Sequence, residues 1–316
     1  MVESKHQWKA WLYLLPAIVL LLVFTVYPII NTVRISFLEG YGAMREVGGA
    51  TFEFGLGNYE KVLQYGKFTQ CLKNTILLCV TTVPISTILA LLIAVALNSI
   101  KPLQKTLQTI FFLPYVTNSI AIGMVFAAMF NIVGFSGSFT DGSVSADNWG
   151  IVNNFLQLLN IEPISWINQE STYTANMIVM IVYIVWNALP FKILILLGGL
   201  QSINKQYYDA AKVDSTPKWR VLTRVTVPLL SPMLAYVIIT GFIGGFKEYS
   251  SIIGIFGDKM GPTHEPGLLN TMVGYVYNAI EKDSQGLASA GALVLFGIIL
   301  LVTLINNYGI KKLVHY

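Results

Sequence analysis

Residues 207–220 have the sequence YYDAAKVDSTPKWR and lie between two long apolar runs of the chain. Asn204 precedes this segment and is a typical helix N-cap, because its side chain can accept hydrogen bonds from the free amides of a first turn. We therefore predict a short helix that runs through Val213. The adjacent small residues Ala210 and Ala211 give this helix a thin face, which another protein surface can approach closely.

A second short helix is predicted directly after the first. Its cap would be one of three polar residues, Asp214, Ser215 or Thr216. Pro217 would lie in its first turn, where a missing N–H costs nothing. An apolar stripe follows at intervals of three residues, formed by Trp219, Leu222 and Val225. An amphipathic helix pair between membrane spans indicates a docking surface and not a catalytic centre.

The composition excludes a soluble globular protein. The 316 residues are 54% hydrophobic and only 11% charged, whereas typical soluble proteins carry about 25% charged residues. Because the apolar residues are gathered in long runs, we predict a polytopic membrane protein. The formal net charge of +4 is small. A nucleic-acid partner is not expected, since the sequence has no dense basic stripe interleaved with aromatic residues.

The cysteines and histidines predict neither a disulfide nor a metal site. Cys71 and Cys79 fall near or within one predicted helix, at a separation of roughly 12 Å, which is beyond the reach of a disulfide. The histidines are scattered, at His6, His264 and His315. The chain also contains no Gly-x-x-x-x-Gly-Lys-Ser/Thr loop, so energy for active transport would enter through another subunit.

Several apolar segments are long enough to cross a bilayer, which takes about 20 helical residues. They lie at about 8–30, 72–97, 106–132, 174–200, 228–256 and 286–310. We therefore predict an all-α membrane protein with six transmembrane helices, in which residues 1–316 form a single transmembrane domain. Pro84, Pro114 and Pro190 interrupt the second, third and fourth spans and permit kinks.

The placement of lysine and arginine predicts the orientation of the spans. Basic residues gather at both termini and in the second and fourth connections: Lys5, Lys9, Lys101, Lys105, Lys205, Lys212, Lys218, Arg220, Arg224, Lys311 and Lys312. The third connection, 133–173, has no Lys or Arg. The first connection is an exception, but glutamates balance its basic residues. We therefore place both termini and the loop 201–227 in the cytoplasm.

The two long external connections have different expected structures. Glycines at 48, 49, 55 and 57 predict a folded hairpin or a turn-rich cap in the first connection. Turn residues predominate at 134–143 in the third connection. Beyond them, residues 149–159 are expected to form a short helix at the outer interface.

Polar residues in the fourth and fifth predicted spans are candidates for a solute pathway. An ionisable group near the centre of a membrane helix costs at least about 2.5–3.5 kcal/mol, so it usually faces a cavity, a partner or the bundle interior. We place Glu248, Tyr249, Asn187 and Asn118 on a polar pathway for a neutral, hydroxyl-rich solute. Asn131 is a further candidate on the third span.

Two features of the same spans are assigned to structure. Lys192 is interpreted as part of an intramembrane Lys–Glu pair or as a lysine that extends towards the interface. Gly241 and Gly245, four residues apart, offer a thin face for the close approach of another helix.

The 207–220 segment resembles the signature loop of binding-protein-dependent ABC importer permeases. That pattern has Glu-Ala-Ala, then Asp-Gly three residues on, and a hydrophobic helix that ends in Leu-Pro. Asp209-Ala210-Ala211, Asp214 and the segment VPLLSP at 227–232 stand at this spacing. Asp209 replaces the usual Glu, and Ser215 replaces the usual Gly. Ser215 must therefore make the turn in another way if this position requires a positive φ.

The resemblance extends along nearly the whole chain. Segments similar to sugar-type permeases are Leu14-Leu15-Pro16, Tyr27-Pro28, Gly57-Asn58-Tyr59, Asn74-Thr75, 199–203, 246–249 and Gly261-Pro262. The chain looks like a carbohydrate-type permease, similar to the maltose and multiple-sugar permeases. This implies the type I ABC importer permease fold, a bacterial or archaeal cytoplasmic membrane as the location, and import of a sugar or oligosaccharide.

The resemblance also implies a set of partners. These are a second, related permease in a heterodimer, two cytoplasmic ATPases, an extracellular or periplasmic sugar-binding protein, and membrane lipid. ATP and magnesium would bind to the ATPases, and this chain would need no cofactor of its own. The residues implied to couple to the ATPase lie within 204–227: Tyr208, Asp209, Ala210, Ala211, Asp214, Ser215, Trp219 and Arg220.

Two other functions are compatible with parts of the sequence. A permease for a polyamine, phosphate or a phosphorylated polyol would need several charges on the pathway, and only Lys192, Lys247 and Glu248 are available. A polytopic membrane enzyme would need clustered His, Asp or Glu at membrane depth, where Glu248 stands almost alone. A permease for a neutral sugar, with no catalytic residues, fits better.

Overall fold

The computed structural model describes residues 7–64, 66–100, 104–130, 136–137, 144–145, 150–168 and 170–311, and most of them are helical. The helices before the fourth predicted span are α1 (Gln7–Leu21), α2 (Tyr27–Ser36), α3 (Ala43–Val47), α4 (Gly57–Gln64), α5 (Gly66–Ser99), α6 (Gln104–Val116), α7 (Ser119–Phe130) and α8 (Ile151–Leu158). Two-residue strands, β1 (Ser136–Gly137) and β2 (Val144–Ser145), pair antiparallel.

The later helices begin with the fourth predicted span. They are α9 (Tyr173–Ser202), α10 (Lys205–Val213), α11 (Lys218–Val221), α12 (Val227–Leu229), α13 (Ser231–Phe246), α14 (Ser250–Phe256), α15 (Met272–Glu281) and α16 (Gln285–Lys311). π-Helical turns at Leu22–Val26 and Leu222–Thr226 join α1 to α2 and α11 to α12. A 3₁₀ turn, Gly257–Lys259, follows α14.

The chain forms two compact units. The first comprises the described residues up to Phe68 together with Tyr275–Phe296. The second comprises the described residues of 69–274 and those from Gly297 onwards. In the second unit, the buried side chains of α5, α9, α13 and α14 form the core, with Tyr183 fully buried in it.

Unbroken helices account for four of the predicted spans. The stretches Trp8–Ser36, Lys67–Ser99, Tyr173–Ser202 and Gln285–Gly309 are long and apolar enough to cross a membrane. The first three extend by one to six residues beyond an end of the span predicted from sequence, and the fourth agrees with 286–310 to within one residue at each end. Pro84 lies within α5 and Pro190 within α9, and neither proline ends its helix.

The third predicted span is not one helix, as 106–132 would require. Thr106–Val116 and Ser119–Phe130 meet at an angle of 97°. The physical reason lies at Asn118, whose side-chain Oδ1 accepts hydrogen bonds from the amides of Ile120 (2.9 Å) and Ala121 (3.4 Å). These contacts cap a new helix, because they satisfy amides that a continuous helix would have bonded internally.

The fifth predicted span, 228–256, is also broken. The helices on either side of Leu230 form a pair, Lys218–Leu229 and Ser231–Phe246, bent by 71°. A second interruption follows α13, so that Lys247, Glu248 and Tyr249 lie between helices. Glu248, which precedes the N-cap residue Tyr249, accepts the Ser251 amide at its Oε1 at 3.1 Å and so satisfies one free amide at the start of α14.

The connection between the first two predicted spans forms the predicted turn-rich cap, with two short helices, α3 and α4, added to it. Leu38 and Phe54 form an antiparallel bridge, and the rings of Phe37 and Phe54 stack at 5.2 Å. Asn58 is buried and donates to the carbonyls of Leu38 (2.7 Å) and Ser36 (3.1 Å). These contacts fix the entry of the chain into α4.

The helix predicted at 149–159 is α8, Ile151–Leu158. Its buried Asn153 bonds both backbone groups of Ile164, at 3.0 and 3.1 Å, and accepts from Trp166 Nε1 at 3.0 Å. Other predictions fall on residues outside those described: Lys5, His6, Lys101, Asn131, the turns at 134–135 and 138–143, Trp149, Lys312 and His315.

The predicted thin face of α13 packs against α5. A methyl group placed at Gly245 would lie 2.8 Å from Cys79 Sγ, and one at Gly241 would lie 3.1 Å from Val83 Cγ1. Neither position has room for a larger side chain without rearrangement. Cys79 and Cys71 are both buried, and neither forms a disulfide.

Candidate functional site

The loop between α9 and α13 begins with the predicted capped helix. Asn204 Oδ1 accepts from the Gln206 amide at 3.0 Å, and α10 runs to Val213. Tyr208 Oη and Thr226 Oγ1 lie 3.3 Å apart, and this contact joins α10 to the π-helical turn that follows α11. The loop is therefore a folded unit and not an extended connection.

Ser215 supplies the turn between the two short helices by adopting φ +52°. Its amide bonds to Lys212 O at 3.0 Å, and the Thr216 amide bonds to Ala211 O at 2.9 Å. This pair of bonds defines a Schellman motif, which usually has glycine at the left-handed position. The expectation that Ser215 would need another way to make a turn with positive φ is therefore wrong, because the serine adopts the positive φ itself.

The start of the second helix differs from the prediction. Pro217 is the N-cap residue itself rather than a member of the first turn, and no side chain caps α11. None of the three predicted capping residues takes that role, because Ser215 and Thr216 are already used in closing α10 and Asp214 is its C-cap. Pro217 lacks an N–H and thereby removes one donor that would otherwise need a partner.

The predicted coupling residues form an exposed surface. Six of them are exposed: Asp209, Ala210, Asp214, Ser215, Trp219 and Arg220. Tyr208 and Ala211 are half-buried. Trp219 is notable, since 71% of this large apolar residue is exposed. Asp209 pairs with Lys212 at 3.2 Å, and a pair this exposed contributes little stability, so another cation can replace Lys212.

A cavity of about 280 Å³ lies among α5, α9 and α13. Its polar and charged lining groups are Thr82, Ser86, Tyr115, Asn187, Lys192, Thr240 and Glu248. Apolar side chains and glycines complete the wall, as is usual for ligand cavities. Two predicted pathway residues, Asn187 and Glu248, are therefore brought together, and the other two are not in the lining.

Tyr249 and Asn118 lie at the helix interruptions. Tyr249 is the N-cap residue of α14 and packs against the apolar core of the second unit. Asn118 caps α7, as described above. The neighbouring Ser119 connects this break to the cavity, since its hydroxyl lies 3.5 Å from Asn187 Nδ2 and 3.1 Å from the Tyr183 hydroxyl. Tyr183 was not a sequence candidate, because a buried tyrosine in an apolar run gives no distinguishing signal.

Lys192 belongs to the cavity wall and has neither of its two predicted roles. It is 5% exposed, so it does not extend to an interface. Its Nζ donates to Ser86 Oγ (2.6 Å), Thr87 Oγ1 (3.0 Å) and Val83 O (3.2 Å). The lysine thus links α9 to α5. The two hydroxyl residues that bind Lys192 follow Pro84 closely in the sequence. A single sequence does not show that their helix packs against α9, so this contact could not be predicted.

The two half-helices α7 and α14 cross at a pair of glycines. A methyl group at Gly123 would lie 2.7 Å from Gly254 Cα, and one at Gly254 would lie 2.9 Å from Gly123 Cα. The backbones are therefore in direct contact. Among the described residues, no group of three His, Cys, Asp or Glu side chains is placed to hold a metal ion.

These elements define a polytopic helical membrane protein with an exposed helix–turn–helix loop and a polar intramembrane cavity. The chain belongs to the family described as binding-protein-dependent transport system inner membrane component, whose model matches residues 75–314.

Named relatives align over most of their length. The lactose transport system permease protein LacF of Rhizobium radiobacter is 29% identical, over 94% of this chain and 91% of the relative. The arabinooligosaccharides transport system permease protein AraP of Bacillus subtilis (strain 168) is 28% identical, over 94% and 86%. The trehalose/maltose transport system permease protein MalF of Thermococcus litoralis is 25% identical, over 93% and 91%.

A solved structure has the same fold. A chain of a bacterial ABC transporter involved in the import of the acidic polysaccharide alginate superposes with a TM-score of 0.76, over 98% of both chains. The sequences are 19% identical. A second alginate transporter structure, in complex with alginate pentasaccharide-bound periplasmic protein, gives a TM-score of 0.72 over 96% of this chain.

Proposed function

We propose that this chain is the transmembrane permease subunit of an ATP-driven, binding-protein-dependent importer of a sugar or oligosaccharide. The observation that carries the proposal is the exposed α10–α11 unit, which closes at Ser215 with the positive φ that the family's usual glycine would supply. The saccharide class is supported by the names of the relatives, which refer to lactose, arabinooligosaccharides and trehalose/maltose.

The α10–α11 unit serves as the contact with the ATPase. Trp219 and Ala210 enter a cleft of the ATPase, and Asp209 exchanges its exposed partner Lys212 for a cation of that subunit. Closure of the ATPase dimer then pushes this rigid unit and moves the attached spans from an inward-open to an outward-open arrangement. The permease chain itself carries out no covalent chemistry and holds no ATP or magnesium.

The cavity among α5, α9 and α13 is this chain's part of the solute pathway. Glu248 and Asn187 present hydrogen-bonding groups to the hydroxyls of a saccharide, and Tyr115 supplies an aromatic ring in the same wall. Asn118 and Tyr249 contribute from the two helix breaks beside it. A second, related permease would supply the opposite wall, and a sugar-binding protein would deliver the solute from outside.

The chain crosses a bacterial or archaeal cytoplasmic membrane six times when each bent pair of helices counts as one span. Both termini and the α10–α11 unit lie in the cytoplasm. This arrangement is supported by the basic residues of the loop, among them Lys205, Lys218 and Arg224, and by the lack of Lys and Arg at 133–173. The single transmembrane domain predicted for residues 1–316 is part of the same proposal.

Affinity purification of the tagged chain from its native membrane tests the proposal directly. In mild detergent we expect recovery of a P-loop ATPase, a second six-span permease and a saccharide-binding protein, identified by mass spectrometry. Asp209→Lys and Ala210→Trp should each remove the ATPase and leave the second permease, because they alter only the exposed face of α10.

Asp258→Lys is the matched control, since Asp258 is also exposed but lies in the 3₁₀ turn after α14. It should retain the ATPase. A chain that purifies alone, or that keeps the ATPase in both α10 variants, would contradict the docking role.

A further inference from the structure

Lys192 is the one basic residue in the lining of the solute cavity, and its protons can be assigned from the hydrogen bonds around it. Ser86 donates its only proton to a carbonyl, that of Thr82 at 2.5 Å with Val83 O at 3.2 Å as the alternative. Thr87 donates its proton to Val83 O at 2.7 Å. Both hydroxyl oxygens therefore accept from Lys192 Nζ, and Val83 O is a third acceptor.

Three acceptors require three N–H groups, and only the ammonium form of lysine has them. The three acceptors thus favour the charged form of Lys192. They also leave none of the three protons for a solute, because every one is directed at α5. Lys192 acts on a passing molecule through its field and not as a hydrogen-bond donor.

In the part of the chain that the structure describes, no carboxylate neutralises this charge at contact distance. Neither ion pair among the described residues includes Lys192. The other ionisable residue of opposite sign on the wall, Glu248, has its Oε1 bonded to the Ser251 amide at 3.1 Å. In a cavity surrounded by low-dielectric protein, such an isolated charge acts over a longer range than it would in water.

We propose that Lys192 is an electrostatic barrier that keeps cations out of the solute pathway while a neutral saccharide passes. A fixed positive charge in a narrow pathway excludes protons and metal cations at little cost to an uncharged solute. Among the described residues Glu248 forms no ion pair with Lys192, so it does not cancel the lysine charge at contact distance. The inference rests on the proposed function, because it needs the cavity to be part of the pathway.

The test measures proton entry into proteoliposomes that contain the complete transporter. A potassium gradient with valinomycin sets the voltage, and a pH-sensitive dye inside reports the leak. Lys192→Met removes the charge. Ser86→Asp keeps the lysine and its link to α5 but neutralises it with a carboxylate. We expect each to raise proton entry on the order of tenfold, as the loss of a like charge at close range predicts.

The controls separate charge from structural loosening. Ser86→Asn has nearly the shape of Ser86→Asp and keeps an oxygen that accepts from Lys192 without adding a charge, and Lys192→Arg keeps a cation, so both should leak no more than the unaltered transporter. If Ser86→Asn leaks as much as Ser86→Asp, packing is responsible and the barrier is refuted. If Lys192→Met does not assemble, the two Ser86 variants decide the question.

Uptake of labelled lactose, trehalose and arabinooligosaccharides is followed in the same vesicles. If Lys192→Met and Ser86→Asp take up saccharide and leak no more protons than the unaltered transporter, the barrier is refuted. The permease assignment is then unaffected. ATP-dependent uptake of none of these probes by the unaltered transporter would count against the proposed saccharide class, while the leak comparison would still test the barrier.

Discussion

Ser215 holds a left-handed backbone conformation, which costs an L-residue roughly 1–2 kcal/mol because its Cβ approaches the following carbonyl oxygen. The two hydrogen bonds that close α10, from Ser215 to Lys212 and from Thr216 to Ala211, keep the residue there. Glycine would make the same bonds without this steric cost. The turn is therefore less stable with serine at this position than it would be with glycine.

We expect Ser215→Gly to stabilise the α10–α11 unit by about 1 kcal/mol. Hydrogen exchange with mass spectrometry on a peptide that covers residues 208–217 should show slower exchange of the amides that close the turn, by a factor of about five. Ser215→Ala is the control, because alanine has the same Cβ. An equal gain in both variants would show that the lost hydroxyl, and not the backbone, was responsible.

Asp283 ties the cap of the first unit to the turn before α16. Its carboxylate Oδ1 accepts the Met44 amide at 3.1 Å, and its Oδ2 lies 3.9 Å from Arg45 Nε. The hydrogen bond from Met44, together with others and the charge of Arg45, holds the pKa of Asp283 below its usual value. A carboxylate with a depressed pKa stabilises the folded state above its ordinary pKa, and this stabilisation is lost as the pH falls.

The cap should therefore loosen in acid, in the range below about pH 4, where an ordinary aspartate begins to bind protons. Exchange of the amides at 43–47 should accelerate between pH 5 and pH 3 beyond the intrinsic pH effect. Asp283→Asn should exchange faster at pH 5 and show little further change on acidification. Asparagine is the suitable replacement because Asp283 has φ +51°, which asparagine tolerates well. A variant that retains the full acid response would assign the effect to another group.

At the scale of the elements, the crossing of α7 and α14 is the contact most sensitive to volume. Gly123→Ala would place a methyl group 2.7 Å from Gly254 Cα and 2.9 Å from its carbonyl carbon, and backbone cannot move aside as a side chain can. We expect a loss of about 1–3 kcal/mol, the usual cost of overpacking. It should be visible as a lower midpoint of thermal unfolding in detergent.

Gly198→Ala is the matched control for that change. A methyl group at this glycine, within α9, meets no atom within 4 Å. Its unfolding midpoint should stay the same or rise slightly, because alanine is the better helix former. If both variants behave alike, the α7–α14 contact is not the close backbone crossing described here.

Sequence reasoning predicted the helices better than their interruptions. Apolar runs and Asn204 were sufficient for the spans and for α10, since each depends on local residues. The breaks at Asn118 and Glu248 were missed, because both residues look like ordinary polar members of an apolar run. Their side chains bond free amides at the starts of α7 and α14 instead. Of the three prolines expected to permit kinks, Pro84 and Pro190 lie within unbroken helices, whereas Pro114 lies just before the break in the third span.

The candidate site, like the helices, could be predicted only where it depends on local sequence. The surface of the α10–α11 unit follows from local sequence. The positive φ of Ser215 does not, because serine in place of the usual glycine suggested another way of making the turn. The cavity depends on which helices are neighbours. Asn187 and Glu248 were found as costly polar groups in apolar spans, but the contact of Lys192 with Ser86 and Thr87 joins positions more than a hundred residues apart. No local pattern contains that information.

At the scale of the whole molecule, the first span differs from the other unbroken spans in its burial. The most apolar window of Trp8–Ser36 is not buried at all by the rest of the chain. In water such a surface would cause aggregation. In a bilayer, lipid tails cover leucine and phenylalanine as well as protein does, so the hydrophobic effect does not drive helices together. A newly made copy is thus tolerated in the membrane before it meets a partner. Under the proposed function, the cell would therefore not need to match the synthesis rates of the subunits closely, and the order of assembly would depend on complementary shape and not on a need to hide apolar surface.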